Sequence, residues 1–335
     1  MARELSTGAA INEAIAIAMR QDPTVILMGE DVAGGGDRSQ EGVEEMGGVL
    51  GTTRGLVGEF GMNRVRDTPI AEMGLIGTAV GAAVTGLRPI AELMFMDFLG
   101  TCLDPLLNQA AKLRYMFGGK AKVPLTVRTV CGAGMQAAAQ HSQSLYWMTT
   151  GIPGLKTVIP SSPAEAKGLL LASIRDDDPV VFCEPKRILN QVGEVPEGDC
   201  EIPIGPARVV REGSDVSLVS FGATVALAQQ AAAALESAGT SAEIIDLRSL
   251  SPLDEAAILA SLEKTGRMVV IDESTPRCSI ARDIAALCVD KGFDFLDAPV
   301  KCVTAPHTPV PFSGVLEQAF MPSAQDVLDA VGEMG

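Results

Sequence analysis

Lys156-Thr157-Val158-Ile159-Pro160-Ser161-Ser162-Pro163-Ala164-Glu165 opens the stretch that decides the fold, and Val180-Val181-Phe182-Cys183 closes it. Each end carries a short apolar run rich in β-branched residues, as a strand covered on both faces should. Between them the sequence marks a helix. Ser162 can cap it, Pro163 suits the first turn, and Glu165 completes a capping box. Strand, helix, strand is the repeating unit of α/β proteins with mostly parallel sheets. Working outward, Val25-Ile26-Leu27-Met28 and Leu125-Thr126-Val127-Arg128 read as further strands. Residues 186–205 break the rhythm with Gly193, Pro196, Gly198, Pro203 and Gly205, and read as a linker. The alternation then restarts, with strands at 216–221, 243–247, 268–271 and 300–303 and helices at 224–238, 253–264 and 279–289. The expected architecture is α/β: a parallel-sheet domain over 1–185, the linker, and a smaller α/β domain over 206–335.

Composition limits what such a chain can do. Its 335 residues suit two or three domains. A net charge of −16 repels phosphate backbones, so nucleic acid is an unsuitable partner. The mean hydropathy of +0.25 is high for a soluble monomer and points to a large subunit interface. The best candidate for a membrane span, Met73 to Leu87 between Glu72 and Arg88, falls short of the roughly 20 residues required. The start of the chain has no signal-peptide pattern, and the seven cysteines are odd in number and never spaced Cys-x-x-Cys. The expectation is a cytoplasmic protein with reduced thiols.

Few residues carry candidate chemistry. His141, in Gln140-His141-Ser142-Gln143, is one of only two histidines, the residue type best suited to proton transfer near neutral pH. His307 lies in a proline-stiffened loop and reads as structural or interfacial. Glu30 follows the first long strand, and the carboxyl ends of parallel strands are where α/β sheets bind ligands. Glu72 opens a helix with no charge as far as Leu87, so its carboxylate stands at the mouth of an apolar segment. A lone acid at a helix start is also explained by the helix dipole. Gly74, Gly77 and Gly81 share one face of that helix, a surface for close packing, possible between subunits. Gly132-Ala133-Gly134-Met135-Gln136-Ala137 matches a dinucleotide fingerprint, but the acid required about 20 residues later is missing, so a nicotinamide site is rejected. No phosphate-binding G-x-x-x-x-G-K-[ST] loop occurs.

Five ordered segments say more: Leu27 to Val32, Asp67-Thr68-Pro69-Ile70-Ala71-Glu72-Met73-Gly74, Gln140 to Gln143, Pro153 to Val158, and Ile244-Ile245-Asp246-Leu247-Arg248. Together they resemble the β subunit of the thiamine-diphosphate-dependent decarboxylating component of 2-oxo acid dehydrogenase complexes, over nearly the whole chain. Segments 93–98, 114–120, 276–279 and 303–311 resemble the acetoin dehydrogenase type. The resemblance implies a pyrimidine-type thiamine-diphosphate-binding domain followed by a smaller transketolase-like domain. It implies that Glu72 bonds the ring nitrogen of the cofactor's aminopyrimidine, that Glu30 is a second acid near it, and that Met94 and Phe98 line its pocket. It assigns His141 to proton and acyl transfer toward a lipoyl group. No Gly-Asp-Gly occurs here, so the diphosphate and its magnesium fall to a separate α subunit in an α2β2 assembly that serves a lipoyl acyltransferase core. The resemblance also implies a structural potassium ion on carbonyls of Leu125, Ser173, Ile174, Asp176 and Asp178.

Two departures bear on the substrate. The glycine-rich stretch 34–51 is longer than in pyruvate-type members, and Ser144-Leu145-Tyr146-Trp147 differs from many relatives. Acetoin is the expected substrate, with pyruvate or a branched-chain 2-oxo acid as the alternative. A vestigial docking subunit is the reading from outside enzymology.

Overall fold

The computed structural model describes residues 2–35 and 47–335. Most of the glycine-rich stretch from 34 to 51 lies outside the described residues. The strands in chain order are β1 (Ala2–Ser6), β2 (Val25–Gly29), β3 (Val65–Asp67), β4 (Arg88–Phe95), β5 (Thr126–Cys131), β6 (Lys156–Val158), β7 (Val180–Pro185), β8 (Val192–Pro196), β9 (Arg208–Arg211), β10 (Val216–Ser220), β11 (Ala242–Asp246), β12 (Ser249–Ser251), β13 (Met268–Asp272) and β14 (Lys301–Thr304). A seven-stranded sheet runs β12-β6-β7-β5-β4-β2-β3, and a five-stranded sheet runs β14-β13-β10-β11-β9. Each is parallel except at one edge, where β12 and β9 pair antiparallel. β2, β5, β7, β10, β11 and β13 are buried throughout, which is why their sequences show no alternation.

The helix Pro163–Arg175 begins where the sequence marks it, and Ser162 accepts from the Glu165 N–H. The capping box is not what Glu165 forms. Its carboxylate accepts from Ser161 and from Arg248 Nε, 2.9 Å away, tying the helix start to the second domain. The expected linker also carries structure. A short turn over Lys186–Ile188 leads into β8, which pairs antiparallel with β1. Pro196 stands at the end of that two-stranded edge, where a missing N–H is tolerated.

The two sheets are not independent bodies. One hydrophobic cluster joins Ile26, Leu93 and Val127 of the first sheet to Val219 of the second and to Ile258 and Ile284 on the helices Glu255–Thr265 and Ile280–Lys291 that pack against it. Tyr146 packs edge-on against Phe221 at 5.4 Å and donates its hydroxyl to buried Asp272. β12, which follows β11 directly, leaves the second domain to complete the edge of the first sheet. Among the described residues no helix is long and apolar enough to cross a membrane.

Candidate active site at the strand ends

β5, β4, β2 and β3 lie side by side and parallel, so their carboxyl ends share one edge of the sheet. Each sequence-predicted residue of the proposed heterocycle pocket sits at that edge. Glu30 follows β2, Glu72 opens the helix Glu72–Val84 after β3, Met94 stands near the end of β4, and Phe98 lies in the turn Met96–Thr101. His141 lies in the loop beyond β5.

Contacts link them into one constellation. The Thr101 hydroxyl lies 3.1 Å from Glu72 Oε2 and 2.8 Å from the Phe98 carbonyl. The Phe98 ring meets His141 edge-on at 5.4 Å, and Phe95 meets the same imidazole at 4.9 Å. Burial holds the Glu30 carboxyl above the usual carboxylate range, helped by the charges of Asp31 and Glu72. Burial and the Glu72 charge push the Cys102 thiol up to about 12. Excess negative charge at this edge is therefore set against a half-apolar wall. Such an edge suits a heterocycle that brings its own hydrogen-bond donors.

The sequence did not disclose what lies beneath. Arg128, fully buried on β5, donates to Glu92 Oε2 at 2.8 Å and grips Glu184 at 2.6 and 3.0 Å. Burial raises the Glu92 carboxyl, Arg128 opposes it, and Glu30 adds to the rise. Met94 packs beside this ionic layer. Asp97 was also missed. Its Oδ1 accepts from the backbone and side-chain N–H groups of Gln143, at 3.1 and 2.9 Å. Gln143 therefore fixes the loop through Asp97, and the imidazole of His141 is oriented by phenyl rings. Lys186, buried among them, places its ammonium 4.9 Å from the Phe95 ring centre.

The rejected dinucleotide fingerprint has a structural explanation. Gly132 and Gly134 have φ of 87° and 108°. A Cβ at Gly132 would strike the Glu273 carboxyl, and one at Gly134 would meet Arg187 Cγ at 2.7 Å. Glu317 accepts the N–H groups of Gly134 and Gln136, so this loop is occupied by the protein's own carboxylate. The glycines serve close approach between the domains.

The turn after the helix Pro163–Arg175 gathers carbonyls. Those of Ile174, Arg175 and Asp176 accept from Arg88 Nη1 at 3.3, 3.2 and 3.0 Å, and that of Leu125 accepts from Val180 N–H. Lys156 binds the Asp176 carboxylate, and Arg114 binds that of Asp178. The turn thus attracts positive charge, and Arg88 already engages two of the five residues named for potassium.

The transketolase pyrimidine-binding domain matches residues 3–191, and the transketolase C-terminal domain matches residues 205–327. The β subunit of acetoin:2,6-dichlorophenolindophenol oxidoreductase from Bacillus subtilis is 61% identical, over 100% of this chain and 98% of that one. The chain belongs to the family of transketolase-like dehydrogenase β subunits. The corresponding subunit from Cupriavidus necator is 54% identical over 98% of this chain and 97% of that one. A solved structure described as a split-gene transketolase, inactive β4 tetramer, shares the fold with a TM-score of 0.80 over 98% of each chain, at 21% identity. Membership makes the chain a thiamine-diphosphate-dependent oxidoreductase subunit.

Proposed function

We propose that the chain is the β subunit of an acetoin dehydrogenase, active only with an α subunit. The observation that carries this is the Glu72–Thr101–Phe98–His141 constellation at the carboxyl edge of the first sheet, with Glu30 beside it. Its residues fit the aminopyrimidine half of thiamine diphosphate. Glu72 would bond the ring nitrogen, Glu30 would stand as a second acid near it, and Met94 and Phe98 would line its pocket. Bound there, the cofactor supplies a nucleophilic carbon for attack on a ketone. Glu72 would exchange a proton with the ring, and His141 would assist proton and acyl transfer toward a lipoyl group. Magnesium and the diphosphate are assigned to the α chain, because this sequence carries no Gly-Asp-Gly motif. Acetoin is favoured because the relatives at 61% and 54% identity are each named as acetoin:2,6-dichlorophenolindophenol oxidoreductase subunits.

The proposed assembly is an α2β2 heterotetramer that passes the acyl unit to a lipoyl acyltransferase in the cytoplasm. Its domains are the pyrimidine-type unit 1–185, the connecting segment 186–205 and the C-terminal unit 206–335. A structural potassium ion is proposed on carbonyls of Leu125, Ser173, Ile174, Asp176 and Asp178. The acidic turn supports it, and the ion would share carbonyls with Arg88. Glu72→Gln in the α/β pair should leave folding intact and lower turnover of acetoin by about 10²–10⁴-fold with an artificial electron acceptor. Near-normal turnover refutes the role. Running pyruvate and 3-methyl-2-oxobutanoate beside acetoin in the same assay decides the substrate.

A further inference from the structure

Lys186 has no part in the chemistry proposed above, yet its ammonium lies among the supports of His141. It follows β7 in the short turn Lys186–Ile188 and is 4% exposed. The ammonium makes no hydrogen bond and lies 4.9 Å from the centre of the Phe95 ring. A buried cation is costly unless its surroundings compensate it. Burial lowers its hold on the proton, and the charge of Asp97 opposes this most strongly, with Cys131, Glu317 and Glu273 behind it. Phe95 and Asp97 are thus its principal partners, and both are holders of His141. The Phe95 ring meets the imidazole edge-on at 4.9 Å. Asp97 Oδ1 accepts both N–H groups of Gln143, two residues beyond His141, while its Oδ2 is buried without a hydrogen bond.

We propose that Lys186 is a positioning residue for His141, acting through Phe95 and Asp97 together. The cation attracts the Phe95 ring and so fixes the wall against which the imidazole packs. It also balances the charge on the half of the Asp97 carboxylate that Gln143 leaves unbonded, which keeps the other half turned to the loop. One charge thereby sets both the wall and the loop of a side chain to which it makes no hydrogen bond. A purely structural Lys186, tying the domains together through Glu273 and Glu317, would cost stability when removed and do nothing particular to His141. The placement of His141 stands on this geometry alone, and its consequence for acyl transfer rests on the reading of His141 given above.

The chain has two histidines, so isotope-labelled histidine gives two ring signals by nuclear magnetic resonance, and His307→Gln assigns them. In the full chain the His141 signal should stand displaced from free imidazole by the two phenyl rings. Lys186→Met keeps an unbranched side chain and removes the charge. It should move the His141 signal and leave the His307 signal in place, whereas Lys186→Arg, which keeps the cation, should hold both. Asp97→Asn should move the same signal, because its amide N–H groups would face the ammonium, and joining it to Lys186→Met should bring the signal partway back. In the α/β pair, Lys186→Met should lower lipoyl acylation about tenfold more than turnover with an artificial electron acceptor. A His141 signal unmoved by Lys186→Met, or by Asp97→Asn where Lys186→Met does not fold, overturns the proposal. So does acylation undiminished by Lys186→Met in a pair where His141→Ala abolishes it. If His141→Ala leaves acylation intact, the reading of His141 has failed, and the two ring signals still decide what Lys186 does.

Discussion

His141 is held by the edges and faces of two phenyl rings, at 4.9 and 5.4 Å, and Asp97 fixes its loop through Gln143. His141→Ala removes the imidazole and leaves these supports in place. The α/β pair should therefore keep its fold and its turnover with an artificial electron acceptor, while transfer of the acyl unit to a lipoyl acceptor falls by about 10²–10⁴-fold. Reductive acylation measured beside the artificial-acceptor assay separates the two steps, and unchanged acylation contradicts the assignment. The His141 motif was legible in the sequence because histidine is rare here. Its holders were not. Phe95 lies in an apolar strand, where any ring reads as core, and Lys186 lies in a segment read as linker. Arg128 hid for the opposite reason: a charge at the end of a short apolar run reads as the edge of a strand, whereas Glu92 and Glu184 on the flanking strands let it be fully buried.

The helix Glu72–Val84 poses the question of packing. Gly74, Gly77 and Gly81 are exposed, and a Cβ at Gly77 or Gly81 would meet nothing within 4 Å. Beside them Ile70 is 74% exposed and Met73 60% exposed. An apolar face lined with glycine in the chain by itself fits contact with another subunit. Gly77→Leu should leave the isolated chain folded and stabilise it by about 1 kcal/mol, the difference in helix propensity. In the presence of the α chain it should abolish assembly, read by sedimentation. A variant that assembles normally shows that this face is not the interface. Spacings of three and four made this stripe readable from sequence. β8 and β12 were not readable, because each is short and draws its identity from a distant partner, β1 in one case and β6 in the other.

Across the whole molecule the domains meet through buried acids that carry raised pKa values. Burial in apolar surroundings pushes the Glu273 carboxyl up to about 7, with Arg187 and Lys186 opposing and Asp272 adding to it. Asp246 is likewise raised by burial and by the Glu165 charge. An acid whose folded pKa exceeds its unfolded value binds its proton more tightly in the fold. Stability from it is present below the unfolded value near 4.5 and is lost as pH rises toward 7. The unfolding midpoint should therefore decline from about pH 5 to about pH 8, with Glu273 contributing about 3 kcal/mol of that loss. Glu273→Gln should flatten the decline, and a midpoint that climbs across this range contradicts the account. The parallel alternation and the two-domain plan were legible from apolar runs alone. The shared core was not, because periodicity shows that a face is buried and not what buries it.

The central claim is that this chain supplies the heterocycle-binding wall of a cofactor cleft and leaves the diphosphate to another chain. Calorimetric titration of thiamine diphosphate with magnesium, into the chain alone and into the chain with its α partner, tests it most directly. The account predicts no saturable binding to the chain alone and stoichiometric binding to the pair, lost when Glu72 is changed to Gln. Tight, magnesium-dependent binding by the chain alone would contradict it.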